Sequence, residues 1–225
     1  MSASTSTWSE AVAPVWRNNV ALGQLLGLCP LLAVTTSLVH GLALGLATVA
    51  VIVVSSTTMS LLREWLLPMV RVPLCLLILA GLVTCIDLLS EALFYDLHEV
   101  LGLFVPLIVV NSGLLAHAAD VANRRSVPFT LVSALATGLG FLFALMALGA
   151  LREIFGHGTL FAGIEMLGGA SSARITLDLP FDGMLVAILP PGAFFGIAVL
   201  LALRNRLAGA RASKASEPAP VDQAQ

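Results

Sequence analysis

Charge is what this sequence has least of: 11% of its 225 residues are Asp, Glu, Lys or Arg, against roughly 25% in an ordinary soluble domain. So few charges cannot cover a water-facing surface, which excludes a soluble globular fold. A basic excess is missing too, since the net charge is −2, and a nucleic-acid partner is therefore not expected. The first 17 residues are rich in Ser and Thr and lack the apolar core of a cleaved secretory signal, so the first hydrophobic run is expected to be retained. Phosphate-cradling glycine loops, nucleophile elbows and zinc-protease helices are all missing, and no catalytic residue is expected on this chain.

What is present is apolar: 58% of the residues are hydrophobic, arranged in uncharged runs of about twenty, the length a helix needs to cross hydrocarbon. Six spans are expected, at about 18–39, 41–62, 72–90, 100–118, 127–151 and 183–203. They form an all-α integral membrane domain over 18–207, with halves at about 18–91 and 98–207, a cytoplasmic segment at 1–17 and a disordered cytoplasmic tail at 208–225. If the N-terminus is cytoplasmic, the inner segments hold Arg17, Arg63, Arg71, Arg124, Arg125, Arg204, Arg206, Arg211 and Lys214, and the outer ones only Arg152 and Arg174. Nine basic residues against two place both chain ends inside.

Span 1 carries GLCPLLAVTTS from Gly27, and span 4 carries GLFVPLIVVNS from Gly102. Three spans separate the copies, an odd number, so the second enters the membrane from the opposite face, giving an inverted repeat of three plus three helices. Pro30 and Pro106 each lack an amide proton and crowd the carbonyl four residues earlier, Leu26 and Gly102, which predicts broken helices in spans 1 and 4. At about 1.5 Å per residue, Cys29 lies some 16 Å into span 1 and Ser112 some 18 Å into span 4, near the bilayer midplane. Irregular backbone at that depth survives only where protein or a cavity covers it, so an anionic group or a partner protein is expected there.

The stretch WRNNVALGQLLGLCPLLAVTTS resembles the E subunit of the Rnf (Rsx) electron-transport complex, whose sister is the D subunit of the sodium-pumping NADH:quinone reductase. GLATVAVIVVSS, LGLFVPLIVVN, ALGALREIFGHGTLFAG and AILPPGAFFGIAVLLA carry the same likeness along residues 16 to 203. The resemblance implies a bacterial inner-membrane component of a complex that exchanges electrons between ferredoxin and NAD and moves Na+ or H+. It implies the A, B, C, D and G subunits as partners, with the homologous A subunit inserted upside down opposite this one. It also implies a 2Fe-2S cluster shared with A in mid-membrane, and no flavin on this chain. Each of the two subunits ordinarily gives the cluster two cysteines. Cys29 matches the first ligand, while Ser112 stands where the family has the second cysteine, in PLIVVNS rather than PLIVTNC. A hydroxyl oxygen is a harder and less acidic donor than a thiol. Serine ligation, a substitute ligand, or a weakened or missing cluster all remain open.

Two rival readings stand beside this one: half of a transporter or channel, since inverted repeats mark those too, and a structural subunit that has lost its cluster. Cys75 and Cys85 are ten residues apart, about 15 Å along a helix, and read as apolar fillers. Asp87 and Glu91 share a face at the outer end of span 3 and read as interfacial, as do His40, His98, His117 and His157. Arg152 and Glu153 open the long 152–182 connector and read as structural. GTLFAGIEMLGG, over 158–169, is apolar but too short to cross.

Overall fold

The computed structural model describes residues 19–62, 65, 67–124, 126–160, 177–178 and 183–215. The expected N-terminal segment 1–17, most of the long connector with all of GTLFAGIEMLGG after Leu160, and residues 216–225 of the tail lie outside the described residues.

Helices run through the apolar stretches, and where one carries proline it falls in the first turn, where its missing N–H is no loss. They are α1 (Leu28–Val34), α2 (Leu38–Leu62), α3 (Arg71–Leu93), α4 (Tyr95–Leu101), α5 (Ser112–Arg124), α6 (Val127–His157), α7 (Leu185–Ile188) and α8 (Pro190–Ala215). Short 3-10 turns at Pro68–Val70 and Val105–Ile108 lead into α3 and α5. Helices α2, α3 and α6 are each long and apolar enough to cross a membrane, and they fall on the second, third and fifth expected spans. Residues 19–39 and 100–118 are instead divided among separate segments, and Pro190 opens α8 after α7 ends within 183–203. A seven-residue helix such as α1 covers only about 10 Å.

Helix α6 runs six residues past its expected end at 151, because LREIF favours a helix and Gly156 costs only about 1 kcal/mol, and it stops where Gly158 turns left-handed at φ 66. Helix α8 likewise continues to Ala215, into the segment that composition assigns to the tail. Its alanines and arginines are strong helix formers. One departure from an all-helical chain is a two-residue antiparallel pairing, Thr159 with Asp178 and Leu160 with Leu177, which ties the two ends of the long connector together.

Helices α2 and α6 form the axis of the molecule and run antiparallel. A Cβ added to Gly41 would sit 2.8 Å from the Leu145 carbonyl oxygen, and one on Gly149 would sit 2.8 Å from that of Ser37. Such close backbone approach is how helices associate in lipid, where burial of apolar surface no longer drives them together. On one side of this axis, Cys75, Leu79 and Leu114 join α2 in one buried cluster. On the other, Leu31, Phe141 and Ile197 form a second. The outward faces of α3 and α8 keep Leu77, Leu88, Phe195 and Val199 exposed, as a surface facing lipid or a neighbouring protein requires.

Candidate functional site

The two interrupted stretches meet. At the first, Asn19 accepts hydrogen bonds on its Oδ1 from the backbone N–H groups of Ala21 (3.0 Å) and Leu22 (3.1 Å). Its Nδ2 donates to the Gly140 carbonyl of α6 at 2.7 Å. Arg204 of α8 donates to the Leu22 carbonyl at 3.0 Å, so this stretch is anchored to two helices. The backbone then passes through Leu25 (φ 54) and Gly27 (φ 73), both left-handed, before α1 begins. Only glycine adopts that conformation freely, and Leu25 is strained by about 1 kcal/mol or more.

Gly27 lies against Asn111, immediately before α5: a Cβ there would be 2.5 Å from Asn111 Oδ1 and 2.7 Å from its Nδ2. A Cβ on Gly113 would collide with Val20 and approach Leu26 Cβ at 3.3 Å. Asn111 is buried, and its Oδ1 accepts from the Gly113 N–H at 3.1 Å, an N-cap for α5. Its Nδ2 has no partner among the described residues. The junction therefore brings together the segments carrying Cys29, in the first turn of α1, and Ser112, the first residue of α5. Both side chains are exposed.

Beyond the junction, Arg152 and Glu153 are buried near the end of α6. Arg152 Nη1 donates to the Leu32 carbonyl at 3.1 Å and to Thr35 Oγ1 at 3.0 Å, closing the C-terminal end of α1. Its Nε donates to Ala187 O at 3.2 Å, and its Nη2 to Ile188 O, closing the end of α7. Glu153 Oε2 accepts from the Leu38 N–H at 2.8 Å and from Ser37 Oγ at 3.2 Å, capping the start of α2. A cation at helix C-termini and an anion at an N-terminus match the helix dipoles, so the expected structural role holds.

The remaining candidates separate. Cys75 is fully buried in the α2–α3–α5 cluster and acts as an apolar filler, whereas Cys85 is exposed. Asp87 Oδ1 faces His98 Nδ1 of α4 at 3.5 Å, and Ser90 Oγ lies 3.0 Å from the same nitrogen. Thr36 Oγ1 lies 3.3 Å from His40 Nδ1. His117, expected at an interface, is instead part-buried between α5 and α6, 3.3 Å from Thr137 Oγ1. Sequence reasoning also passed over Asn19 and Asn111. The signal was there, in two amides within or beside apolar runs that hydrocarbon would not tolerate unpaired.

The family description "Rnf-Nqr subunit, membrane protein" matches residues 7–201. The chain belongs to the Rnf-Nqr family. Its relatives there include the E subunits of ion-translocating oxidoreductase complexes from several bacteria. That of Thioalkalivibrio sulfidiphilus is 46% identical over 192 residues, covering 84% of each chain. The Pseudoalteromonas atlantica protein is 45% identical over 195 residues (86% of this chain, 84% of that one), and the Haemophilus ducreyi protein 45% over 203 residues (89% of each).

The residues present can be tested against the cluster that the Rnf-Nqr resemblance implies. Among the described residues, no group of three or more His, Cys, Asp and Glu side chains could hold a metal ion alone. A cluster shared with a second protein asks less of this chain. An exposed thiol and an exposed hydroxyl, on segments locked together through Gly27 and Asn111, fit one side of such a shared site, with the second donor an oxygen.

Proposed function

We propose that this chain is the E-type membrane component of a complex that couples electron transfer between ferredoxin and NAD to translocation of Na+ or H+. The observation that carries this reading is the family likeness across residues 7–201 together with an exposed Cys29 at the junction with Ser112. The chain pairs about a pseudo-twofold with a homologous A subunit, and the B, C, D and G subunits complete the complex. Both ends face the cytoplasm at the inner membrane, as the nine-to-two bias of basic residues supports. The membrane domain is a six-span inverted repeat broken in spans 1 and 4, a reading supported by the matched GLCPLLAVTTS and GLFVPLIVVNS segments.

When bound, a 2Fe-2S cluster supplies one-electron carriage through hydrocarbon, where a bare charge is costly. Cys29 is the residue of this chain that holds it, as thiolate. Ser112 offers an oxygen beside it, a weaker partner for iron. The packing of Leu26, Gly27 and Gly113 fixes the distance between the two segments. Ser112 also favours a second reading, a structural component whose cluster has been lost.

Iron and acid-labile sulfide in the purified complex decide between them. Cys29→Ala is expected to remove the iron assigned to this site and to slow electron transfer, and Ser112→Cys to raise its occupancy. Unchanged iron and unchanged rate in Cys29→Ala leave only the structural reading.

A further inference from the structure

Six polar side chains lie along the facing parts of α2, α5 and α6, away from the Cys29 junction. Ser56 is 0% and Ser60 2% exposed, and neither hydroxyl has a partner among the described residues. They lie four residues apart, on the stripe of α2 that continues from Gly45 through Val49 and Ile52. That stripe faces α6, since a Cβ on Gly138 would sit 3.1 Å from both Val49 Cγ2 and Ile52 Cγ2. Continued by the antiparallel register, it brings Ser56 and Ser60 level with the first turns of α6, where Thr130 and Ser133 are buried. One turn deeper, Thr137 Oγ1 donates to the Ser133 carbonyl at 2.8 Å and lies 3.3 Å from His117 Nδ1. Thr130 Oγ1 likewise donates to the Ser126 carbonyl, at 3.1 Å.

A hydroxyl that gives its proton to its own helix keeps its oxygen lone pairs for another guest. The seam is thus a row of neutral, hard oxygen acceptors with one imidazole, enclosed by protein. It starts at Ser60, about 3 Å from the end of α2, and reaches Thr137, about 15 Å into α6. His117 then stands five residues, about 7.5 Å along α5, from Ser112. The seam therefore runs from the Leu62 end of α2 toward the junction. An ionisable group within a span, here His117, marks an ion pathway, and neutral oxygens replace a hydration shell without trapping the ion.

We propose that Ser56, Ser60, Thr130, Ser133, Thr137 and His117 line an intake half-path for a small, hard monovalent cation, Na+ or hydronium. This rests on the reading of the chain as part of an ion-translocating complex. Two volume-preserving variants test it: Ser56→Cys exchanges a hard oxygen for a soft sulfur, and Thr137→Val removes the hydroxyl.

The whole complex is reconstituted in vesicles and driven by reduced ferredoxin and NAD. One arm reads 22Na+ uptake, and the other reads lumen pH with choline in place of sodium. Ions moved per electron is a ratio, independent of how much complex assembles. It is expected to fall about tenfold in both variants, in whichever arm the wild type uses, while electron transfer with ionophore present stays within about twofold. A ratio equal to the wild type's in that arm overturns the half-path and leaves the proposed function standing. A wild-type complex that transfers electrons but moves neither ion overturns both.

Discussion

Gly27 shows how much depends on one missing side chain. Its φ of 73 and its seat against the Asn111 amide leave no room for a Cβ. Gly27→Ala should cost about 2–4 kcal/mol, about 1 from the left-handed backbone and the rest from overpacking. The check is the thermal midpoint of the purified complex, with Gly81→Ala as control, since a Cβ at Gly81 meets nothing within 4 Å. A drop no larger at Gly27 than at Gly81 contradicts the tight seat. Cys29 and Ser112 stood out in the chain as candidates because they sit in the GLCP and PLIVVNS motifs. Asn111 was not, because its importance lies in a neighbour 84 positions away, the difference of 111 and 27.

Helix ends are the next scale, and Arg152 with Glu153 governs three of them. Four donor contacts leave Arg152 to the ends of α1 and α7, and Glu153 holds the start of α2. Arg152→Met would leave several buried carbonyls unpaired and should cost about 3 kcal/mol or more. Glu153→Gln retains an acceptor for the Leu38 N–H and should cost about 1 kcal/mol. Unfolding of the complex in rising SDS should rank the variants in that order, and the reverse order would show that Glu153 has the larger part. The sequence suggested a structural role for the pair from its place at a connector. It could not supply the partners, because a charged pair next to an apolar run reads as interfacial until helix ends from elsewhere in the chain close over it.

Across the whole molecule, burial divides three cysteines that composition treats alike. Cys75 is enclosed by α2 and α5, while Cys85 and Cys29 are exposed. In detergent solution, N-ethylmaleimide should therefore label Cys75 about tenfold more slowly than Cys85, because reaction at a buried thiol waits for local opening. Peptide mapping over a time course gives the two rates, and equal rates would mean that α3 is not packed as described.

Membrane placement, helical character and the positions of α2, α3 and α6 followed from the chain alone, because hydropathy and proline placement are local properties that each segment carries with it. Which faces meet did not. Helices apolar all round show no polar side to point outward, and small residues that allow close approach announce themselves only against a partner backbone. Gly41 against Leu145, Gly27 against Asn111 and Thr137 against His117 are contacts between distant parts of the chain, and tertiary packing alone decided them.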